Sequence, residues 1–224
     1  MPDCAFEQAA SARTGDGVVC GIDEAGRGPW AGPVVAAAVV LGDGRGNLAG
    51  LPRLLRDELD DSKRLLPAHR EVLYAALMAA ARRGRARFAV AAASAAEIDR
   101  INILAATHLA MTRAVRALGM LPALALVDGD RPPSLPMPVE TIIGGDGLSL
   151  SIAAASVLAK VTRDRLMARL DPRYFGFRWA QNMGYGTLEH REALWRFGPT
   201  PHHRMSFAPV REAWSELRAR SKLK

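Results

Sequence analysis

The sequence predicts an α/β or α+β fold in which helices pack around one mixed sheet. Short apolar runs that stop at Gly, Pro or Asp alternate with longer stretches of helical periodicity carrying recognisable caps. Hydrophobic residues make up 49% of the chain and aromatic residues only 6%, so the core is built from Ala, Leu, Val and Ile rather than from rings. At ~100–200 residues per domain, the 224 residues make one main domain with a small extension.

Taken in order, Gly17–Ile22 and Pro33–Leu41 (PVVAAAVVL) read as short buried strands, separated by the Gly-rich turn that carries Asp23 to Gly32. A loop follows at Gly42–Gly46, then an irregular charged stretch to Arg64. Pro67 opens a helix of about four turns, because proline is preset for the first helical position, and Phe88–Ala93 is the strand after it. Ser94-Ala-Ala-Glu97 is a capping box, so one long helix is expected to run towards Leu118, with Asn102 on it in a packing role. Leu124–Val127 is a strand that runs straight into Asp128. Arg131–Pro138 is a Pro-rich loop, Val139–Ile143 a strand, and Ser151–Leu170 a helix with a basic face of Lys160, Arg163, Arg165 and Arg169. Aromatic residues and histidines thicken beyond Asp171-Pro172. The expected organisation is a flexible tail over 1–16, a main domain built on the sheet over 17–170 and a C-terminal helical subdomain over 171–224.

A formal net charge of +7 favours a polyanionic partner, nucleic acid first. The only cysteines, Cys4 and Cys20, suggest neither a disulfide framework nor a metal–thiolate site and fit a reducing cytoplasm. The start of the chain has acidic residues and no long apolar stretch, which argues against a signal peptide. No run approaches the roughly 18 apolar residues of a membrane span.

Asp23 and Glu24 stand where one apolar strand ends, Asp128 where another ends, and Asp146 after a third. Taken singly, a strand-end Asp serves equally well as a loop cap. Gathered together, carboxylates repel and raise each other's pKa unless a cation neutralises them. Oxygen-only ligands favour Mg²⁺ or Mn²⁺ over Zn²⁺. Two such ions are a general route to phosphodiester hydrolysis by water, without a covalent protein intermediate.

Asp23-Glu24-Ala25-Gly26-Arg27-Gly28-Pro29, followed by Ala31-Gly32-Pro33-Val34-Val35, closely resembles the signature of the ribonuclease HII family. Further blocks match in the right order: Asp61-Ser62-Lys63, Asp128-Gly129, Ser151–Ser156, Ala159–Asp164, Gly184-Tyr185 and His203–Phe207. The resemblance covers the chain from about Val18 to Val210 and implies a ribonuclease H-like fold, with a central five-stranded mixed sheet flanked by helices and a short C-terminal helical segment. It implies four metal-binding carboxylates at Asp23, Glu24, Asp128 and Asp146, a Gly-Arg-Gly motif at Gly26, Arg27 and Gly28, and a substrate-sensing tyrosine at Tyr185.

The implied activity is hydrolysis of the RNA strand in RNA–DNA hybrids, and of DNA duplexes at single embedded ribonucleotides. The implied cofactor is Mn²⁺ or Mg²⁺, two ions with substrate, and a monomer is expected. Glycines let the backbone approach a ribose closely, and the 2′-hydroxyl is what separates RNA from DNA at one nucleotide. Arg27 suits an adjacent phosphate, and Tyr185 suits stacking beside the ribonucleotide. Ser62, Lys63, Lys160 and Arg163 are candidate phosphate contacts that fix register without reading sequence. His202 and His203 fall in a structural or substrate-adjacent block and are not assigned as ligands.

The chain departs from the family pattern at Gly144, where many relatives have Lys, at Asn182-Met183 for a common His-Lys pair, at Gly186 for a common Pro, and at Trp30 for a usual Leu. Two other classes are weighed against the hydrolase. A basic scaffold that only holds nucleic acid gains nothing from four acids facing its ligand. A two-metal enzyme acting on DNA alone has no reason to keep a turn suited to a 2′-hydroxyl.

Overall fold

The computed structural model describes residues 1–221; residues 222–224 lie outside the described residues. Its sheet has five strands: β1 (Val19–Ala25), β2 (Val34–Leu41), β3 (Ala86–Ala93), β4 (Leu124–Asp128) and β5 (Val139–Ile142), in the order β3-β2-β1-β4-β5. β1 pairs antiparallel with β2 and parallel with β4, and β4 pairs parallel with β5. The sheet is therefore mixed. The helices are α1 (Ala5–Arg13), α2 (Arg53–Glu58), α3 (Pro67–Arg82), α4 (Ala95–Ile101), α5 (Ile103–Ala117), α6 (Leu150–Leu170), α7 (Trp179–Asn182), α8 (Leu188–Phe197) and α9 (Ala208–Ser221).

The chain forms two compact units. The first contains residues 1–25, 35–92 and 108–161; the second contains 26–34, 93–107 and the chain from Thr162 on. The expected division at residue 170 follows chain order, whereas the structure assigns the Gly-rich turn and α4 to the same unit as the C-terminal helices. Chain order misses this because the turn's contacts are with residues far along the sequence.

In the first unit every residue of β2 is buried. Ala37 and the Ala153–Ala155 run of α6 belong to one apolar cluster with Leu55, Leu59, Leu73, Leu77 and Leu158. Small side chains on both partners bring helix and sheet close together. At Gly21 the approach is closest: a Cβ there would collide with the main chain of Ser151 and Ile152, so glycine lets α6 begin directly over β1.

The expected flexible tail at 1–16 is corrected by the structure. Residues 5–13 are helical, Ala10 is fully buried, and Asp3 pairs with Ser149 as an isolated parallel bridge. The anchor is Glu7, whose buried Oε1 accepts hydrogen bonds from Ser149 Oγ at 2.6 Å, Ser151 N at 2.8 Å and Ser151 Oγ at 2.6 Å. A carboxylate at a helix start also suits the amide-rich end of α6.

The single long helix expected from Ser94 to Leu118 is also corrected. The Ser94–Glu97 capping box is present, but Asn102 adopts φ 66° and breaks the run. Its side chain accepts from Ala105 N at 3.0 Å and restarts the helix as α5. With ψ 166° its backbone is not helical, and asparagine caps well, so the exposed Asn102 is the break and cap between two helices rather than a packing residue.

In the second unit, Phe177, Trp179, Met167, Leu194 and Val210 form a separate core. Among the described residues no helix is long and apolar enough to cross a membrane.

Glu7→Ala is expected to lower stability by about 2–3 kcal/mol, because it orphans three buried donors at once. Urea unfolding measures this, and a loss under about 0.5 kcal/mol contradicts the anchoring role.

Candidate active site

The register of the parallel strands builds the acidic site. The last paired residues of β1 and β4 are Ile22 and Val127, so the next residues, Asp23 and Asp128, emerge side by side at the carboxyl ends of the strands. Binding sites of sheets with parallel strands commonly form at that edge. Asp128 is in register with Ile142 of β5, and a one-turn helix at Gly145–Gly147 then carries Asp146 back. Gly145 N donates to Asp128 Oδ1 at 2.7 Å, closing the loop onto the strand end. As a result, one carboxylate oxygen from each of Asp23, Asp128 and Asp146 lies within 4.8 Å of the others.

Glu24 is not within this group of three, although its charge reaches Asp23. Neighbouring residues on a strand point to opposite sides, and Glu24 is half-buried next to the cluster in sequence. The structure thus brings together three of the four expected ligands and leaves the fourth beside them on the same strand.

Electrostatics at the cluster is unfavourable. Burial first, then the charges of Glu24 and Asp128, push the Asp23 carboxyl well above its usual value, and the Ser156 hydroxyl and Glu24 amide only partly oppose this. Asp23 Oδ1 accepts from Glu24 N at 2.6 Å. Its buried Oδ2 has no hydrogen-bond partner. Burial also raises Asp146, against the hydrogen bond from Lys63. A buried carboxylate with one unpartnered oxygen, in an all-oxygen set with two further acids, fits a hard divalent cation.

The expected phosphate contacts separate into different roles. Lys63 Nζ donates to Asp146 Oδ2 at 3.0 Å and lies 3.5 Å from Asp61 Oδ1. Burial works against this ammonium, but Asp146, Asp23 and Asp61 hold its pKa above the ordinary lysine value. Its side chain remains largely exposed. Lys160 is half-buried on α6. Ser62 is buried, and its Oγ accepts from Ser156 Oγ at 2.8 Å. That contact ties the Asp61-Ser62-Lys63 turn to the helix that faces Asp23.

Arg163 is corrected outright. It is 1% exposed, not on a basic face, and its guanidinium donates to three main-chain carbonyls: Pro33 at 3.0 Å, Met183 at 2.9 Å and Ala31 at 3.1 Å. Buried in this way, the guanidinium is out of reach of a phosphate in solvent. Arg204, to which the sequence assigned no role, is its counterpart. Fully buried, it donates to Gly32 O at 3.0 Å, Arg27 O at 2.8 Å and Gly26 O at 2.6 Å. Burial lowers these guanidinium pKa values to about 10 and about 9, so both stay charged at neutral pH.

Two buried cations therefore draw the carbonyls of the Gly-rich turn inward. Across trans peptides the amides of Arg27 and Gly28 point away from Arg204, which holds the carbonyls before them, and the Arg27 side chain is exposed. Gly26 sits at φ 96° against Arg163, where any Cβ would strike the guanidinium. Gly28 is open, and a Cβ there would lie 3.7 Å from Tyr185 Cε1. The half-exposed Tyr185 ring and the turn thus stand side by side.

Three of the departures from the family pattern have a physical reading. Asn182 braces the tyrosine loop by accepting from Gly184 N at 2.8 Å and donating to Phe177 O at 2.7 Å. A Cβ at Gly186 would run into the Trp30 indole, so the large residue at 30 and the missing side chain at 186 are complementary. Gly144, at φ 67°, has open space where a side chain would project; nothing in the structure explains the absence of a lysine there.

A family model described as Ribonuclease HII matches residues 20–210. The chain belongs to the ribonuclease HII family. A ribonuclease HII from Paramagnetospirillum magneticum is 57% identical over 94% of this chain and 97% of its own length. One from Gluconobacter oxydans is 53% identical over 94% and 95%. Among solved structures, the ribonuclease H2 from Pyrococcus horikoshii superimposes with a TM-score of 0.71 at 27% identity, covering 89% of this chain and 98% of that one. Membership in the ribonuclease HII family makes the protein a nuclease, a hydrolase of phosphodiester bonds.

A raised Asp23 pKa means the folded state binds more protons than the unfolded state at pH above the ordinary carboxylate value of about 4. Stability is therefore lost as pH rises through the window up to the raised value. In chelator at pH 8, Asp23→Asn is expected to be more stable than wild type by roughly 1–2 kcal/mol, with the gap narrowing towards pH 5. Thermal melts across that range measure it; a variant less stable than wild type at pH 8 contradicts the reading of the cluster.

Proposed function

We propose that this ribonuclease HII hydrolyses the RNA strand of RNA–DNA hybrids and cuts DNA duplexes on the 5′ side of single embedded ribonucleotides, acting in ribonucleotide removal during replication and repair. The observation that carries the proposal is the meeting of one carboxylate oxygen each from Asp23, Asp128 and Asp146 within 4.8 Å, on an Asp23 whose buried Oδ2 has no hydrogen-bond partner. Glu24 completes the ligand set, with two Mg²⁺ or Mn²⁺ ions when substrate is bound. Bound ions supply a more acidic attacking water and neutralise charge that develops on the leaving 3′-oxygen. The P–O3′ bond breaks, leaving 5′-phosphate and 3′-hydroxyl ends.

The chain's own residues do the rest. The outward amides of the Gly26–Gly28 turn meet the ribose 2′-hydroxyl, and Arg27 takes the neighbouring phosphate. Tyr185 stacks on the adjoining sugar or base. Lys63 and Lys160 hold backbone phosphates, which sets register without reading sequence. In the chain, only Ala25 separates Glu24 from Gly26.

The direct test is a labelled DNA duplex with one ribonucleotide, incubated with Mg²⁺, with Mn²⁺ or with chelator, alongside an all-DNA control. Cutting at the 5′ side of the ribonucleotide only with metal is expected; cutting of the all-DNA duplex at a similar rate rejects the proposal. Asp128→Asn is expected to reduce cleavage by about a thousandfold or more while hybrid affinity stays within about threefold. Activity retained in that variant removes Asp128 from the metal set. Tyr185→Ala should weaken cutting at a lone ribonucleotide about tenfold more than cutting of a long RNA strand. Equal losses on both substrates remove its sensing role.

A further inference from the structure

The second unit contains a buried chain of hydrogen bonds that the activity has not used. Thr200 N donates to His203 Nδ1 at 2.9 Å. His203 Nε2 and His190 Nε2 are 3.0 Å apart. His190 Nδ1 lies 2.8 Å from the carbonyl oxygen of Tyr185, and the Trp179 indole N–H donates to His190 Nε2 at 3.3 Å. His190 is fully buried and His203 is 2% exposed, enclosed by the Phe177, Trp179 and Trp30 rings.

The two ends of this chain fix every proton in it. An amide can only donate, so His203 Nδ1 is bare and its proton is on Nε2. A carbonyl can only accept, so His190 carries its proton on Nδ1 and leaves Nε2 bare. The bare Nε2 then accepts from His203 and from Trp179 together. A second proton on either ring would set two N–H groups against each other or break the bond to Thr200. Burial first, and the neighbouring histidines second, push His203 down to about 3, and burial lowers His190 as well. The pair stays neutral over the range in which a nuclease works.

The chain ends on the residue proposed to sense the substrate. Tyr185 is held at its N–H by Asn182 O at 2.8 Å and at its carbonyl by Thr187 N at 2.8 Å and by His190. His190 is itself fixed, because its N–H donates to the Thr187 cap of α8 at 3.3 Å. We propose that His190, oriented by His203, is a positioning residue for Tyr185: the ordered pair of neutral imidazoles holds the tyrosine carbonyl so that the ring stands beside Gly28 at the angle needed to stack on a ribonucleotide junction. His190 touches no substrate. Its effect is on selectivity, through the backbone of its neighbour.

This inference rests on the sensing role proposed for Tyr185, and the experiment separates the two. The quantity read is kcat/KM on a duplex with one ribonucleotide divided by kcat/KM on a duplex with a long RNA strand. Wild type, Tyr185→Ala, His190→Ala, His190→Asn and the double variant Tyr185→Ala/His190→Ala are compared. His190→Ala is expected to lower the ratio about tenfold, the scale of a buried hydrogen bond that sets an orientation. His190→Asn keeps an N–H near the Nδ1 position and should restore the ratio to within about twofold. In the double variant the ratio should equal that of Tyr185→Ala alone, since a residue acting through Tyr185 has nothing further to change.

If His190→Ala slows both substrates equally, or if its effect multiplies with that of Tyr185→Ala, the positioning role is overturned while the sensing role stands. If Tyr185→Ala itself leaves the ratio unchanged, both readings fall. Should His190→Ala not fold, His203→Ala is read in its place. It removes a donor to His190 without touching the His190–Tyr185 contact. A ratio lowered about threefold supports the relay, and an unchanged ratio overturns it.

Discussion

Everything in the catalytic unit depends on holding like charges together. Three carboxylates converge where β1, β4 and the turn after β5 end, and the protein does little to relieve their repulsion. It provides one exposed lysine, one serine hydroxyl and a few amides. Rigid strand register keeps the acids together: parallel pairing places Asp23 and Asp128 side by side, and the Gly145 amide pins the segment that bears Asp146. A looser scaffold would let the acids separate and lose affinity for a cation. A divalent cation bound there would relieve repulsion that is already built in, so the cost in folding energy would favour its binding.

The second unit uses the opposite charge for a related purpose. Arg163 and Arg204 are buried, each hydrogen-bonded to three carbonyls. Five of these acceptors lie in residues 26–33, so the two cations fix a turn that glycine would otherwise leave loose. Glycine grants the backbone freedom to come close, and arginine removes that freedom once the right shape is reached. A lysine could not replace either residue, since one ammonium does not span carbonyls spread across a planar fork.

Much of this was legible in the sequence because it is local. An apolar run ending in an acid marks a strand end with a carboxylate on it, and all five strands and the capping box lie where patterning puts them. What could not be read depends on distant partners. The helix break at Asn102 is hidden because apolar periodicity continues on both sides of it. Arg163 looks solvent-facing by helical spacing, yet its burial is set by carbonyls of residues about 130 positions earlier. Arg204 and Ser156 sit inside blocks that match the family, but a match without a role gave no physical signal. Glu7 was read as part of a tail because its partners, Ser149 and Ser151, lie more than 140 residues away.

The fit of Trp30 against Gly186 has a bearing on how this loop can change over time. Filling position 186 while the indole stays creates a collision, and shrinking position 30 while the glycine stays opens a void. Each substitution alone is a step downhill in fitness, so the pair is expected to drift as a unit, and chimeras that join the front half of one homologue to the back half of another should be least viable when they split it.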